Sequence, residues 1–521
     1  MVASLPVVRA VSPYDPVPFE PLPPGTLIET VVPDANQVVA MDFTPDGRLL
    51  YTERDSGYDS SVQSEVGYVR VVVNDQLLPD PVYKFPIANQ GEQGLLGIAV
   101  DPNFASNNWV WVYFTKQTSS GTYDNRIAQF KMDGSLEQTL QSFPVNKWVT
   151  IHNGGNLHFG PDGMLYVTVG NNDSTNTSSD PAQALNSPLG KIHRYVPAYY
   201  PVNSLGIPTD NPFYNLPGAD KSNYAYGLRN SFDFAFDPVS HKIFASENGD
   251  ACDDEINLIL PGGNYGWRPA YPCDDEALNG PDRNYNTLPP LMYWTPTLAP
   301  TGLAFYTGNL FPEWKNDLFM CNFKDGTTGL HHFKLNAART AIISHTVLSD
   351  TINHQPLPCR TDVLTGPDGA LYFTSGGGAS QHNGPILRLT RGTSFALSSV
   401  SVAPAAPRSG EVLSYTLYVR HAGTLSNTFA LTATLSPSTT FVSADTGLIA
   451  DVNHVYWSDT LSRTQSITAT YEVQINAAIT TPFTLTSSID LTAPNTDPLH
   501  FPPAVLINGY AVFLPIILSG Y

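Results

Sequence analysis

"FGPDGMLYVTVG", residues 159–170, decides how the rest of the chain is read. Pro161 sets a turn and Asp162-Gly163 supplies the positive φ that a tight hairpin needs, so the run Leu165–Val169 enters as a β-strand. The unit recurs as "FTPDGRLLYTE" at 43, "VDPNFASNNWVWVYFT" at 100, "FDPVSHKIFASENG" at 236, "LFPEWKNDLFMCNF" at 310 and "TGPDGALYFTSGG" at 365. Six such units at roughly 60 residues each, with four strands to a unit, predict a six-bladed β-propeller over about residues 25–391. A sandwich would also be all-β, but it gives no reason for six similar units. No segment of useful length carries a helical period.

Composition shifts near residue 393: Thr, Ser and Ala rise, and short alternating strands follow, as in "QSITATYEVQIN" and "FTLTSSIDLT". That pattern predicts a small immunoglobulin-like β-sandwich over 395–507, an accessory module without readable chemistry, followed by an apolar tail over 508–521. The fold class is therefore all-β, a propeller followed by a sandwich. The tail, "YAVFLPIILSGY", is broken by Pro515 and too short to span a bilayer, so no membrane span is expected.

The chain has 521 residues, 46 acidic against 26 basic, and a formal charge of -20. That field repels phosphate backbones and anionic lipid, so nucleic acid is not an expected partner; neutral or cationic ligands and a divalent cation are favoured. The four cysteines, Cys252, Cys273, Cys321 and Cys359, are too widely spaced for a CxxC metal site. Cys252 and Cys273 bracket a compact loop and are the favoured pair, which leaves Cys321 for Cys359; disulfides fit a secreted, periplasmic or cell-surface protein. The start, "MVASLPVVRAVSPYDPVPFE", lacks an apolar core of signal length and reads as a mature start behind an added Met, although a cytoplasmic protein would begin no differently.

Candidate chemistry clusters in the loops that open the blades. His152 precedes Gly154 and Gly155 at the mouth of a strand; a neutral imidazole there is a well-matched base, and the glycines would let backbone approach a ligand closely. A histidine satisfied by backbone hydrogen bonds is the plainer reading of the fragment by itself. "GEQGLLGIAVDPNF" brings Glu92 and Gln93, "YAYGLRNSFDFAFDP" brings Arg229 and Asn230, and "SENGDACDDEINLILPGGNYGW" is dense in hard oxygen donors that suit calcium. "WTPTLAPTGLAFYTG" and "MCNFKDG" add Thr297 and Lys324.

Seven collinear segments now make a family recognisable: "GEQGLLGIAVDPNF", "HNGGNLHFGPDGMLYV", "LGKIHRY", "YGLRNSFDFAFDP", "DDEINLILPGGNYGW", "APTGLAFY" and "TDVLTGPDGALYF". Together, over about residues 25–391, they resemble the soluble sugar dehydrogenases that bind pyrroloquinoline quinone (PQQ) on a six-bladed propeller. The resemblance implies that His152 takes the proton of a sugar's anomeric hydroxyl, and that Arg229 and Asn230 contact the quinone. It implies that the Gly249 and Asp250 carbonyls hold the calcium ion (Ca2+) that polarises the quinone. Tyr293, Thr297 and Lys324 would line the edge of the cofactor, with Glu92 and Gln93 beside it. Glu255 and Tyr265 match a second, structural calcium site of some members.

The chain departs from the family in three places. Glu92 stands where glutamine is frequent, Ile151 replaces a polar residue before the histidine, and an arginine-rich signature is reduced to "CRTDV" (359–363). Only Arg360 remains there, shifted by one position, so the grip on the cofactor is expected to be weakened, rearranged or lost. The leading expectation is a PQQ- and calcium-dependent enzyme, monomer or dimer, that oxidises an aldose to its lactone and passes electrons to an external acceptor, a dye or small redox protein. The alternatives are a non-catalytic carbohydrate- or protein-binding propeller at a cell surface and a calcium-dependent lactonase-type hydrolase.

Overall fold

The computed structural model describes residues 17–23, 25–119, 122–173, 180–267, 287–324, 326, 328–350, 353–376, 383–392, 398–421, 426–445, 447–462, 465–494 and 498–508. The chain divides into two compact units, 1–22 with 28–389, and 23–27 with 390–521.

The first unit holds six mainly antiparallel sheets, one of which carries Phe19–Pro21 as a parallel edge strand. Their innermost strands are Val38–Phe43, Leu95–Val100, Gly154–Phe159, Ser231–Phe236, Pro300–Phe305 and Val363–Thr365, which we number as blades 1 to 6. Each inner strand touches the next, and that of blade 6 returns to blade 1, so the sheets close a ring. The sixth sheet takes three strands from the end of the unit, Val363–Thr365, Leu371–Thr374 and Asn383–Arg391, and its outermost strand, Thr26–Asn36, from the beginning. This is the six-bladed propeller that the repeats predict, and among the described residues the only helical pieces are Phe104–Asn107 and Pro312–Trp314.

The repeated turn works as its sequence suggests. Gly163 has φ 76°, and the Gly160 and Gly163 N–H groups donate to Met164 O and Gly160 O at 2.8 and 2.9 Å. Asp162 accepts from Met164 N and, four residues on, from the Tyr166 hydroxyl. Residues 366–372 repeat the arrangement with Asp368 and Tyr372. A second repeat carries no obvious sequence signal. Where the inner strand meets its neighbour the register shifts in blades 1 to 5, a β-bulge that re-aims the start of the strand. A hydroxyl from the second strand accepts inner-strand amide hydrogens near the bulge in blades 1, 3 and 4: Thr52 from Ala40, Thr168 from Gly155 and Asn156, Ser246 from Asp233. Thr374 does the same for Thr361 and Asp362 at the blade 6 inner strand.

Carboxylates staple adjacent blades. Asp362 accepts Met41 N at 2.6 Å, Asp42 accepts Val100 N at 2.7 Å and Asp233 accepts Leu303 N at 2.8 Å, each across a blade boundary. These buried acids keep their full hydrogen bonding, as a group removed from water must.

Cys321 and Cys359, the pair left over in the sequence reading, form a disulfide that joins the second strand of blade 5 to the approach of blade 6. Cys273, and with it the expected Cys252–Cys273 pair, lies outside the described residues.

In the second unit, Ser399–Ala403, Val412–Arg420, Ser466–Ile475 and Thr439–Ala444 build one sheet, while Asn427–Thr434, His454–Leu461, Ser488–Thr492 and their neighbours build another. Alternate residues of both, among them Tyr415, Leu417, Leu431, Val455 and Tyr471, share one core, with the Tyr415 and Tyr471 rings stacked at 4.8 Å. Of the expected tail only Asn508 is described. No helix among the described residues is long and apolar enough to cross a membrane.

Candidate active site

The re-aimed starts of the inner strands surround a cavity of about 410 Å³. Val38, Val39, Gly154, Phe232, Thr301 and Thr361 bring five blades to its wall, and Gly91, Glu92 and Leu96 bring the remaining one. Arg54 and Gln37, Asn153, Asn230 and Asn248 supply polar groups, and Phe323 an aromatic face.

His152 lies in the loop that enters blade 3. Its ring is buried at 4% exposure and its backbone is left-handed, with φ 56°. Two contacts hold that unfavourable conformation: its N–H donates to Glu92 Oε2 at 2.7 Å, and its carbonyl accepts Asn172 N at 3.2 Å. The next two residues, Asn153 and Gly154, line the cavity. His152 Nδ1 sits 2.9 Å from Asn171 Oδ1, which also accepts Asp173 N. Because Oδ1 can only accept, the hydrogen is on Nδ1, and the Nε2 lone pair is left as the basic site. Burial first, and the Arg229 guanidinium second, push this imidazole down to about 4, so it is neutral at pH 7; the Asn171 bond, the Asp173 backbone and Asp250 oppose the shift.

The glycines answer first to the protein's own packing. A Cβ on Gly154 would lie 2.7 Å from Gly170 N, and one on Gly155 2.8 Å from the Tyr113 ring, while both have positive φ. They are glycines because the protein's own packing leaves no room, and no ligand approach is needed to account for them.

Arg229 and Asn230 enter blade 4 together. Both backbone N–H groups donate to Glu247 Oε1, at 2.8 and 2.7 Å, and the Ser231 hydroxyl donates to Glu247 Oε2 at 2.6 Å. Burial raises the Glu247 carboxyl to about 7 against these donors. The Arg229 guanidinium donates to Asn248 O and lies 3.4 Å from Asp250 Oδ1. Asn230 Oδ1 accepts Gly154 N at 3.0 Å, tying this loop to the histidine loop.

The other expected residues are partly gathered. Glu92 opens on the cavity, and its carboxyl is raised by loss of bulk water, an effect opposed by the His152 N–H, Arg229 and Arg54. Gln93 is fully buried with neither carboxamide atom hydrogen-bonded. Lys324 Nζ donates to Thr297 O at 2.8 Å, which brings those two together. Arg360 lies over the Phe323 ring and donates to Phe323 O at 2.9 Å, so it packs against a residue of the cavity wall without lining the cavity itself. Tyr293 pairs in register with Glu255 and does not line the cavity.

Gly249, Glu255 and Tyr265 line a separate cavity of about 20 Å³, together with Glu247 and Asp253; Asp250 lies outside its lining. The Tyr265 hydroxyl is already engaged, donating to Leu258 O and accepting Leu260 N. Glu255 is raised well above the ordinary carboxyl range by burial and by Glu247, Asp253 and Asp254 around it. Among the described residues no group of three or more His, Cys, Asp or Glu side chains could hold a metal ion. A calcium ion here would rely chiefly on main-chain carbonyls.

Three site residues escape the sequence reading. Arg54 lines the cavity and donates to Gly91 O, Gln93 O and Gln37. Its signal, "YTERD" at the end of a blade strand, looks like an ordinary solvated cation. Asn171 and Glu247 follow or end the second strands of blades 3 and 4, where the repeat places side chains toward the next loop.

Arg54 lines the cavity beside its apolar and aromatic wall, and Arg229 and Arg360 hold the lining residues Asn248 and Phe323, a cationic surround that suits a planar ligand bearing carboxylates. Residues 35–388 match the Glucose / Sorbosone dehydrogenase family. An uncharacterised protein of Synechocystis is 33% identical over 375 residues, 67% of this chain and 82% of that protein. An aldose sugar dehydrogenase of Escherichia coli is 27% identical over 310 residues, 58% of this chain and 78% of its own. The PQQ-bound structure of an aldose sugar dehydrogenase from Streptomyces coelicolor superposes with a TM-score of 0.51 at 26% identity, over 70% of this chain and 99% of that one. The chain belongs to the Glucose / Sorbosone dehydrogenase family.

Proposed function

We propose that this protein oxidises an aldose at its anomeric carbon to a lactone, using PQQ with calcium, in an oxidising compartment outside the cytoplasm. The observation that carries the reading is a neutral, oriented imidazole, His152, in the loop whose next two residues line a cavity that Arg54 and Asn230 also line. Arg54, Arg229, Asn230 and Arg360 would hold the cofactor and the Gly249 and Asp250 carbonyls the calcium, with Lys324 and Thr297 at one edge. When bound, the quinone accepts a hydride and the cation polarises it as a Lewis acid. His152 Nε2 would take the hydroxyl proton as C1 gives up its hydride, and Arg229 would stabilise the negative charge that develops. The Cys321–Cys359 disulfide supports the oxidising compartment. Electrons then pass to an external acceptor.

The full chain, supplied with PQQ and calcium, should reduce a dye in the presence of at least one of a panel of aldoses. No reduction with any aldose would sink the enzyme reading in favour of a binding propeller, which the engagement of Arg360 with Phe323 O would suit. A lactonase needs free axial carboxylates around its metal; Asp42, Asp233 and Asp362 each accept backbone amides instead.

A further inference from the structure

Three donors converge on the Asp180 carboxylate. Oδ1 accepts Ala182 N at 2.8 Å, and Oδ2 accepts both Asn171 Nδ2 at 2.7 Å and Trp267 Nε1 at 2.8 Å. Only an acceptor on every side satisfies that set; an amide would turn an N–H toward one of the donors. The turn that carries Asp180 is anchored in its own right, because the buried Lys191 ammonium donates to Pro181 O, Ala182 O and Leu189 O at 3.1, 2.8 and 2.6 Å. Asn171 therefore points Nδ2 at Asp180 and Oδ1 back at His152 Nδ1, and Asp173 N on the same Oδ1 reinforces the orientation. On its other side Trp267 presents its ring face to the Arg229 guanidinium, 5.2 Å from the centroid. One buried acid that lines neither cavity thus reaches both the imidazole and the guanidinium of the site.

We propose that Asp180 is a positioning residue: through Asn171 it commits His152 to the tautomer with hydrogen on Nδ1 and the lone pair on Nε2, and through Trp267 it fixes the ring against which Arg229 lies. A neutral imidazole is basic at one nitrogen only, and the partner of the other nitrogen decides which. The catalytic consequence rests on the sugar-oxidation reading, whereas the tautomer is a property of the protein by itself.

Long-range 1H–15N spectra of the full chain carrying 15N-histidine test this, with His152 assigned by the signals lost in His152→Gln. Wild-type protein at neutral pH should show a pyrrole-type Nδ1 and a pyridine-type Nε2. Asp180→Ala should move both toward intermediate, exchange-averaged shifts. With PQQ, calcium and an aldose, kcat should fall about ten- to a hundredfold, the usual cost of losing a group that acts through another, with KM within about twofold. An acid that serves stability alone would lower the melting temperature and leave the nitrogen pattern untouched, and that result overturns the proposal. Should Asp180→Ala fail to fold, Asn171→Leu removes the acceptor itself and carries the same expectation, with an unchanged pattern again overturning it. If the wild type oxidises no aldose the spectra still decide the tautomer, so the two readings fail separately.

Discussion

At the scale of the residue, His152 combines an acid–base group with an environment that keeps it uncharged. His152→Ala should leave PQQ and calcium retention nearly intact, because other groups hold them, yet lower dye reduction by about two to four orders of magnitude, the range for a positioned base. Its depressed value sets the pH dependence. The ring is neutral above about 4, so kcat/KM should stay level from neutral pH down toward that value and fall only below it as the ring protonates. A fall already at pH 6 would show that another group controls the rate. His152, Arg229 and Asn230 were legible because each stands at the entry of a repeated strand. Asn171 and Arg54 were not, because an amide after a strand and an arginine beside acids have many ordinary uses, and only the fold brings Asn171 to the His152 ring and Arg54 to the cavity. Gly154 and Gly155 were legible as glycines with special backbone, but the crowding around them was not, since Tyr113 lies in another blade and Gly170 just past the paired strand.

At the scale of the element, the turns were readable from Asp-Gly and the aromatic that follows, whereas the bulge hydroxyls and the blade staples were not. Thr52, Thr168, Ser246 and Thr374 look like ordinary strand residues, and what distinguishes the first three is a register shift set by the neighbouring strand. Asp362 ties blade 6 to blade 1 through Met41 N and also accepts Val363 N. Asp362→Ala should therefore cost about 3 kcal/mol, the sum expected for two buried amides left unpaired, read as a lower urea midpoint with an unchanged slope. In blade 5, His331 Nδ1 and His345 Nε2 lie 2.8 Å apart, with Asn322 on the other nitrogen of His331 and the Trp294 ring against both. Burial holds His331 down to about 4 and His345 well below its usual value, the latter also through His331 and His332. Both groups have folded values below their unfolded ones, so their stability is full above about pH 6.5 and is lost as pH falls toward 4. Between pH 7 and pH 5 the His331 share of that loss is about 2 kcal/mol. Thermal scans across this window should show a steep decline that His331→Phe flattens; an equal slope in the variant would refute the assignment.

At the scale of the whole molecule, six similar units were enough to announce a ring, but the way it closes was not written in any one of them. The partners are far apart: Arg388 Nε meets Glu29 Oε2 at 2.8 Å across 359 positions. Removing residues 1–36 should leave a three-stranded sixth sheet with an open edge, seen as a markedly lower melting temperature and association in size-exclusion chromatography. A variant that stays monomeric with unchanged melting would show that the strand is dispensable. The closure has a temporal side as well. A ribosome delivers Thr26–Asn36 first and its partner Asn383–Arg391 more than 350 residues later, so throughout synthesis the early strand has no mate and the circle cannot lock. Folding must end with the meeting of two segments that were born farthest apart, a search over long loops that makes such topologies slow. Until then the nascent protein carries an adhesive edge, and whatever escorts it must shield that edge until the final strands emerge.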